Sequence, residues 1–143
     1  MVQQIRKKQS GIARRRRFQR AQVDLPNSYS IIEEDCIRQG HARIVDLSAG
    51  GVRMLSATEF VQGSQVSLRF ALPGGQREVY VNGRIVMSFF DGLTKCYSHG
   101  TAFTRISRAD QDAIRRYVDD VRVGNTRLVR PSQDARNTIR ECT

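Results

Sequence analysis

Gln65-Val66-Ser67-Leu68-Arg69-Phe70-Ala71-Leu72 decides the fold class, because polar and apolar positions alternate along it with period two. That period buries one face and wets the other, as in a half-buried strand. Pro73-Gly74-Gly75 follows as a turn, since Pro presets φ and Gly tolerates φ > 0. Beyond it Val79, Val81, Gly83, Ile85 and Met87 continue an alternating inward face, and Phe90-Asp91-Gly92 marks the next turn. Working outward, short runs rich in Val, Ile, Phe and Tyr predict strands near 27–34, 41–46, 51–55, 65–72, 77–88 and 97–104. Turn signals at intervals of about eight to twelve residues make this an antiparallel barrel or sandwich, an all-β class.

One helix is predicted after the last strand. Ser107 and Asp110 have the S-x-x-D spacing of a capping box, with Ser107 placed to accept an N–H of the first turn. Ile114, Tyr117, Val118 and Val121 then make one apolar stripe that suits docking on the barrel or closing one of its ends. Arg115, Arg116, Asp119 and Asp120 fall mostly on the solvent side, and Gly124 suits the left-handed residue that ends a helix.

The net charge of +10 is unevenly distributed. Residues 1–23 carry eight basic side chains and no acid, residues 24–106 carry eight of each, and residues 107–143 carry eight basic and six acidic. The sequence therefore divides into a basic flexible arm (1–20), a neutral barrel with its helix (21–124) and a polar tail (125–143). An arm of this kind attracts phosphate. The first twenty residues contain no apolar stretch of signal-peptide type, and no segment has the roughly 18 apolar residues of a membrane span. Three cysteines, Cys36, Cys96 and Cys142, form no disulfide or zinc pattern and suit free thiols in a reducing cytoplasm. His41 and His99 have no partners at metal-ligand spacing, so neither metal nor cofactor is expected. Without a nucleophile–base arrangement, a P-loop or a dinucleotide fingerprint, the chain is not expected to be an enzyme.

Two stretches carry candidate chemistry. Arg14-Arg15-Arg16-Arg17-Phe18-Gln19-Arg20 is read most simply as a solvated charge run that binds any polyphosphate. Its use of Arg, not Lys, allows more, because the planar guanidinium grips a phosphate or the O6/N7 edge of guanine with two bonds and stacks on purines. Asp46-Leu47-Ser48-Ala49-Gly50-Gly51 lies between two strand-like runs, and its simplest reading is a hairpin turn with Asp and Ser bonding local backbone and Gly at φ > 0. The same residues also suit ligand recognition. A carboxylate at a barrel rim accepts two N–H donors from a guanine edge, a serine hydroxyl beside it serves base or phosphate, and glycines admit a ligand close to the backbone.

Together and in this order the two stretches resemble the PilZ domain family, whose pattern is RxxxR before the barrel and D/N-x-S-x-x-G after the second strand. Arg16 and Arg20 match the first motif, and Asp46, Ser48 and Gly51 match the second. Gly100-Thr101-Ala102-Phe103 is similar to the family's late-strand G-x-x-F, so the likeness spans residues 14–122. The resemblance implies a six-stranded antiparallel β-barrel with a C-terminal helix that binds cyclic di-GMP at one edge. It assigns Arg16 and Arg20 to guanine edges and phosphates, Asp46 and Ser48 to guanine recognition, and Gly51 to the close approach of ligand, with Gly50 beside it a further ligand-binding candidate. Arg15, just before the motif, is the position that influences stoichiometry in the family, and a third guanidinium there suits an intercalated pair of ligands. Arg17, Arg53, Met87 and Gly100 are further candidates, Met87 standing where many members place an aromatic that stacks on guanine.

The expected function is that of a cyclic di-GMP receptor acting as an adaptor: ligand orders the arm, and an unidentified effector protein reads the new surface. The alternative is a single-stranded nucleic-acid-binding barrel with a basic arm. Against it stand the neutral body, the absence of Trp and the lack of a basic-aromatic strand ladder.

Overall fold

The computed structural model describes residues 18–74 and 77–124. Six antiparallel strands run β1 (Arg20–Glu33), β2 (Cys36–Ser48), β3 (Gly51–Ser56), β4 (Gln65–Ala71), β5 (Glu78–Asp91) and β6 (Cys96–Ile106), followed by helix α1 (Arg108–Arg122). They close into a barrel in the order β1-β2-β3-β6-β5-β4, which leaves a barrel and removes the sandwich. The period-two reading of Gln65–Leu72 holds: Val66, Leu68, Phe70 and Leu72 are buried, while Gln65, Ser67, Arg69 and Ala71 are exposed. They join Ile31, Ile44, Met54, Phe60, Val79 and Ile85 in a single core.

Several strand limits differ from the sequence reading. The first strand begins at Arg20 and not near residue 27, and β5 continues through Phe90 and Asp91. Asp91 belongs to the ladder, paired with Cys96, and its carboxylate and carbonyl accept the N–H groups of Leu93 and Lys95. A wet polar strand end of this kind looks like a turn in sequence.

The larger departure is a set of bulges, each inserting one residue that the neighbouring strand does not match. Val45 is extra against β3, Val86 is extra against β6, and Thr104 is extra against β5. A bulge switches the face on which following side chains emerge. Met87, expected to continue the inward row of Val81 and Ile85, therefore points outward and is 43% exposed. The bulge at Val45 acts likewise on β2: Ile44 faces the core opposite Met54, but Asp46 pairs with Arg53 on the outer wall.

Helix α1 covers one end of the barrel against β1 and β2, sinking Ile114 and Val118 into the common core. Ser107 caps it as expected, accepting from the Asp110 N–H at 3.0 Å. Asp110 acts on the barrel instead of closing the box: its Oδ1 accepts from Arg77 Nε and Nη2 at 2.9 and 2.5 Å, and its Oδ2 from the Tyr80 N–H at 3.4 Å. Gly124 ends the helix in the left-handed region at φ 80°.

Candidate functional site

A cleft of about 350 Å³ opens on the outer wall where β1, β2, β3, β6 and β5 meet. Arg20, Asp46, Ser48, Gly50, Gly51, Arg53, Met87 and Gly100, drawn from five strands and one turn, all line it. Arg15, Arg16 and Arg17 lie outside the described residues, and the chain carrying them joins the cleft at Phe18, which also lines it.

The cleft's charges face one another. Arg20 Nη1 donates to Asp46 Oδ2 at 3.2 Å, with side chains 48% and 19% exposed. This is one contact, so the carboxylate keeps accepting capacity toward the cleft. Arg53 stands opposite Asp46 across the β2–β3 ladder and donates through Nη1 to Ser98 Oγ at 3.3 Å. Asp46 thus sits between two guanidinium-bearing positions on a partly open surface.

Ser48 works on the turn. Its hydroxyl oxygen accepts the N–H groups of Gly50 and Gly51, both at 3.1 Å, and its O–H is 3.3 Å from the Gly51 carbonyl. The simple hairpin reading described this side chain well. It did not describe the glycines, because Gly63, Gly74 and Gly124 are the left-handed glycines among the described residues, and Gly50 and Gly51 are not. What these two require is space: a Cβ on Gly51 would collide with the Thr101 carbonyl of β6, and one on Gly50 would lie 2.8 Å from the Phe18 ring. Their close approach is to protein. Asp46 likewise bonds Arg20, 26 positions away, and not its local backbone.

Apolar groups form the remaining floor. The bulge at Val86 turns Val86 and Met87 outward together, and the Met87 side chain lies over Gly100, 3.2 Å from where a Cβ would stand. Phe18 packs on Gly50 with the Arg115 guanidinium 5.7 Å from its ring centre. Sequence reasoning passed over Phe18 because four arginines beside it set the character of that stretch; an aromatic inside a basic run was the available signal. Thr101 and Ala102 were quoted only as part of a strand motif, and they also line the cleft.

Beneath the wall lies His99, fully buried beside Gly100. Its Nε2 is 2.8 Å from Ser56 Oγ, its Nδ1 is 2.9 Å from Ser88 Oγ, and its ring stacks on Phe60 at 4.0 Å. Burial pushes its pKa down to about 4, against a smaller upward pull from the Thr58 backbone, so the imidazole is neutral at pH 7.

Comparison with curated proteins found no match. Among solved structures, the Bacillus subtilis inhibitor of motility MotI/DgrA is similar over 78% of this chain and 53% of its own, at 21% identity and a TM-score of 0.66. The PilZ domain of Escherichia coli YcgR with c-di-GMP aligns over 78% of this chain and 94% of its own, at 18% identity and 0.55. The K. pneumonia MrkH–c-di-GMP complex aligns over 77% of this chain and 53% of its own, at 15% identity and 0.55. The chain thus spans about half the length of MotI/DgrA and of MrkH, and at these identities the likeness shows the fold. The family profile described as PilZ domain matches residues 14–120, three quarters of the chain, and with the closed six-stranded barrel it settles the matter: this chain belongs to the PilZ domain family.

Proposed function

We propose that the chain is a receptor for cyclic di-GMP that binds it in the Arg20–Asp46 cleft. One observation carries the reading: an acidic side chain sits between Arg20 and Arg53 in a cleft floored by Val86, Met87 and Gly100. A site for phosphate alone gains nothing from a carboxylate, whereas a guanine presents N1–H and N2–H donors that a carboxylate accepts and an O6/N7 edge that arginine grips. The match of both motifs and the c-di-GMP complexes of YcgR and MrkH support the same ligand.

In this reading Arg20 turns from Asp46 toward ligand, Met87 supplies an apolar surface for a base, and Ser48 holds the turn that presents the site. Arg15 and Arg16 close over the ligand from the arm, and Arg15 favours an intercalated pair. The arm then becomes ordered, and a partner protein reads it.

Calorimetry with cyclic di-GMP, GMP and a single-stranded oligonucleotide tests this on wild type, Arg20→Ala and Asp46→Ala. Cyclic di-GMP alone is expected to bind tightly, at two per protomer, and each substitution is expected to weaken it about a hundredfold, the scale of one lost bidentate contact. Oligonucleotide binding with steep salt dependence and indifference to Asp46 would instead identify a nucleic-acid binder. Hydrogen exchange across residues 5–22 should slow on saturation; an unchanged rate would remove the arm from the mechanism.

A further inference from the structure

A second groove, of about 480 Å³, lies on the outer wall across β1, β4, β5 and β6. Its side chains stand in rows set by the ladder. Ser30, Ser67, Asn82 and Arg105 are abreast on the four strands, with Ile32, Gln65 and Arg84 abreast in the next row. The bulge at Thr104 builds it, as the bulge at Val86 builds the cleft. One unmatched residue lets two consecutive side chains, Thr104 and Arg105, both emerge on the surface and line the groove. Bulges of this kind commonly re-aim side chains at sites.

The chemistry differs from that of the cleft in one respect. No acidic side chain lines the groove. Arg20, Arg38, Arg43, Arg69 and Arg77 each lie against a carboxylate, but Arg84 and Arg105 have no ion pair or side-chain hydrogen bond among the described residues. Asn82 Oδ1 is taken up by the Ser67 hydroxyl at 2.9 Å, which leaves its NH₂ to donate. The groove is therefore rich in donors: two guanidinium groups, the Asn82 amide and the Thr104 hydroxyl. Donors converging in a concave surface with no acceptor charge suit an anion, and arginine forks suit the oxygens of a phosphate. A space of this size matches a small molecule. It has no aromatic lining on which successive bases of a nucleic-acid strand would stack.

We propose that this groove is a second binding site, for a small phosphate-bearing ligand held by Arg84 and Arg105. It is separate from the cleft and stands whether or not the cleft binds cyclic di-GMP.

The test is a residue-resolved NMR titration of the full chain with inorganic pyrophosphate, repeated with GMP and with a single-stranded oligonucleotide. Pyrophosphate and GMP are expected to shift the amides of Ser67, Asn82, Arg84, Thr104 and Arg105 saturably, whatever happens in the arm. Arg84→Gln with Arg105→Gln should weaken that response at least about tenfold, the scale of one charge-assisted bond. Arg116→Gln, an exposed change on α1, should leave it intact, as should Asp46→Ala. Shifts confined to the arm and the cleft, an undiminished response in the double variant, or an equal loss in Arg116→Gln would overturn the proposal. So would a groove that answers only to the oligonucleotide.

Discussion

Arg77–Asp110 and Arg20–Asp46 are the same two residue types in contact, yet they hold the molecule in opposite ways. Asp110 is nearly covered and holds three bonds: it takes two from Arg77 and one from the Tyr80 backbone, and so ties the first turn of α1 to β5. Asp46 makes one 3.2 Å contact with a half-exposed arginine on the wall of a cleft. Both arginines are about half exposed, so water replaces a lost carboxylate at either one; what differs is the Asp110 carboxylate, which is nearly covered and also holds a backbone N–H. What distinguishes scaffold from site here is the count of bonds per carboxylate and the access of solvent, and neither is visible in residue identity.

The comparison can be broken most sharply at the covered carboxylate, Asp110. Asp110→Ala is expected to lower stability by about 2–3 kcal/mol, read as a shifted urea midpoint, because the Tyr80 N–H and two charge-assisted bonds lose their acceptor while half-exposed Arg77 recovers part of the loss from water. A change below 1 kcal/mol would place both pairs in one class.

His99 gives the next effect, as a buried polar group held without charge. Its folded pKa of about 4 lies below the ordinary 6.5. Between those values the unfolded chain takes up a proton that the folded chain refuses, so stability falls as pH drops through that window and is intact above it. The loss approaches roughly 2–3 kcal/mol near pH 4. Urea midpoints at pH 7 and pH 4.5 should differ less for His99→Gln than for wild type; equal slopes would show that His99 does not titrate this way.

A smaller change is expected at Gln111, whose Nε2 donates to the Ala49 carbonyl at 3.1 Å. Gln111→Ala should cost about 1 kcal/mol in thermal unfolding. Smallest for folding is Asp46→Asn, within about 1 kcal/mol of wild type by the same measurement. That variant should nevertheless show a large loss of cyclic di-GMP binding, so a substitution nearly silent in stability and severe in binding would sharpen the contrast most. Loss of both together would make Asp46 a second scaffold residue.

The strands were legible wherever the alternation ran unbroken, as in Gln65–Leu72, and α1 was legible from its cap and its stripe. The bulges at Val45, Val86 and Thr104 were not. One extra residue in a strand leaves no mark on composition, yet it decides whether Asp46 and Met87 face the core or the solvent. The residues of the cleft were therefore legible as types and spacings, and their arrangement was not. Gly50 and Gly51 show the same limit, since their space is taken by a ring and a carbonyl from far along the chain. Phe18 went unremarked because a run of charge obscures the one aromatic inside it.

Helix α1 holds both lips of the cleft, Gln111 through the Ala49 carbonyl and Arg122 through the Arg20 carbonyl at 3.1 Å. Occupancy of the cleft and occupancy of the helix's outer face are then linked equilibria wherever either one moves those bonds. Linkage is symmetric: a protein that grips Arg116, Asp119 and Asp120 and shifts the helix alters ligand affinity by the same factor by which ligand alters its own. Under the receptor reading proposed above, such a partner would set the ligand concentration at which the cleft fills, and one sequence would then serve different thresholds in different company.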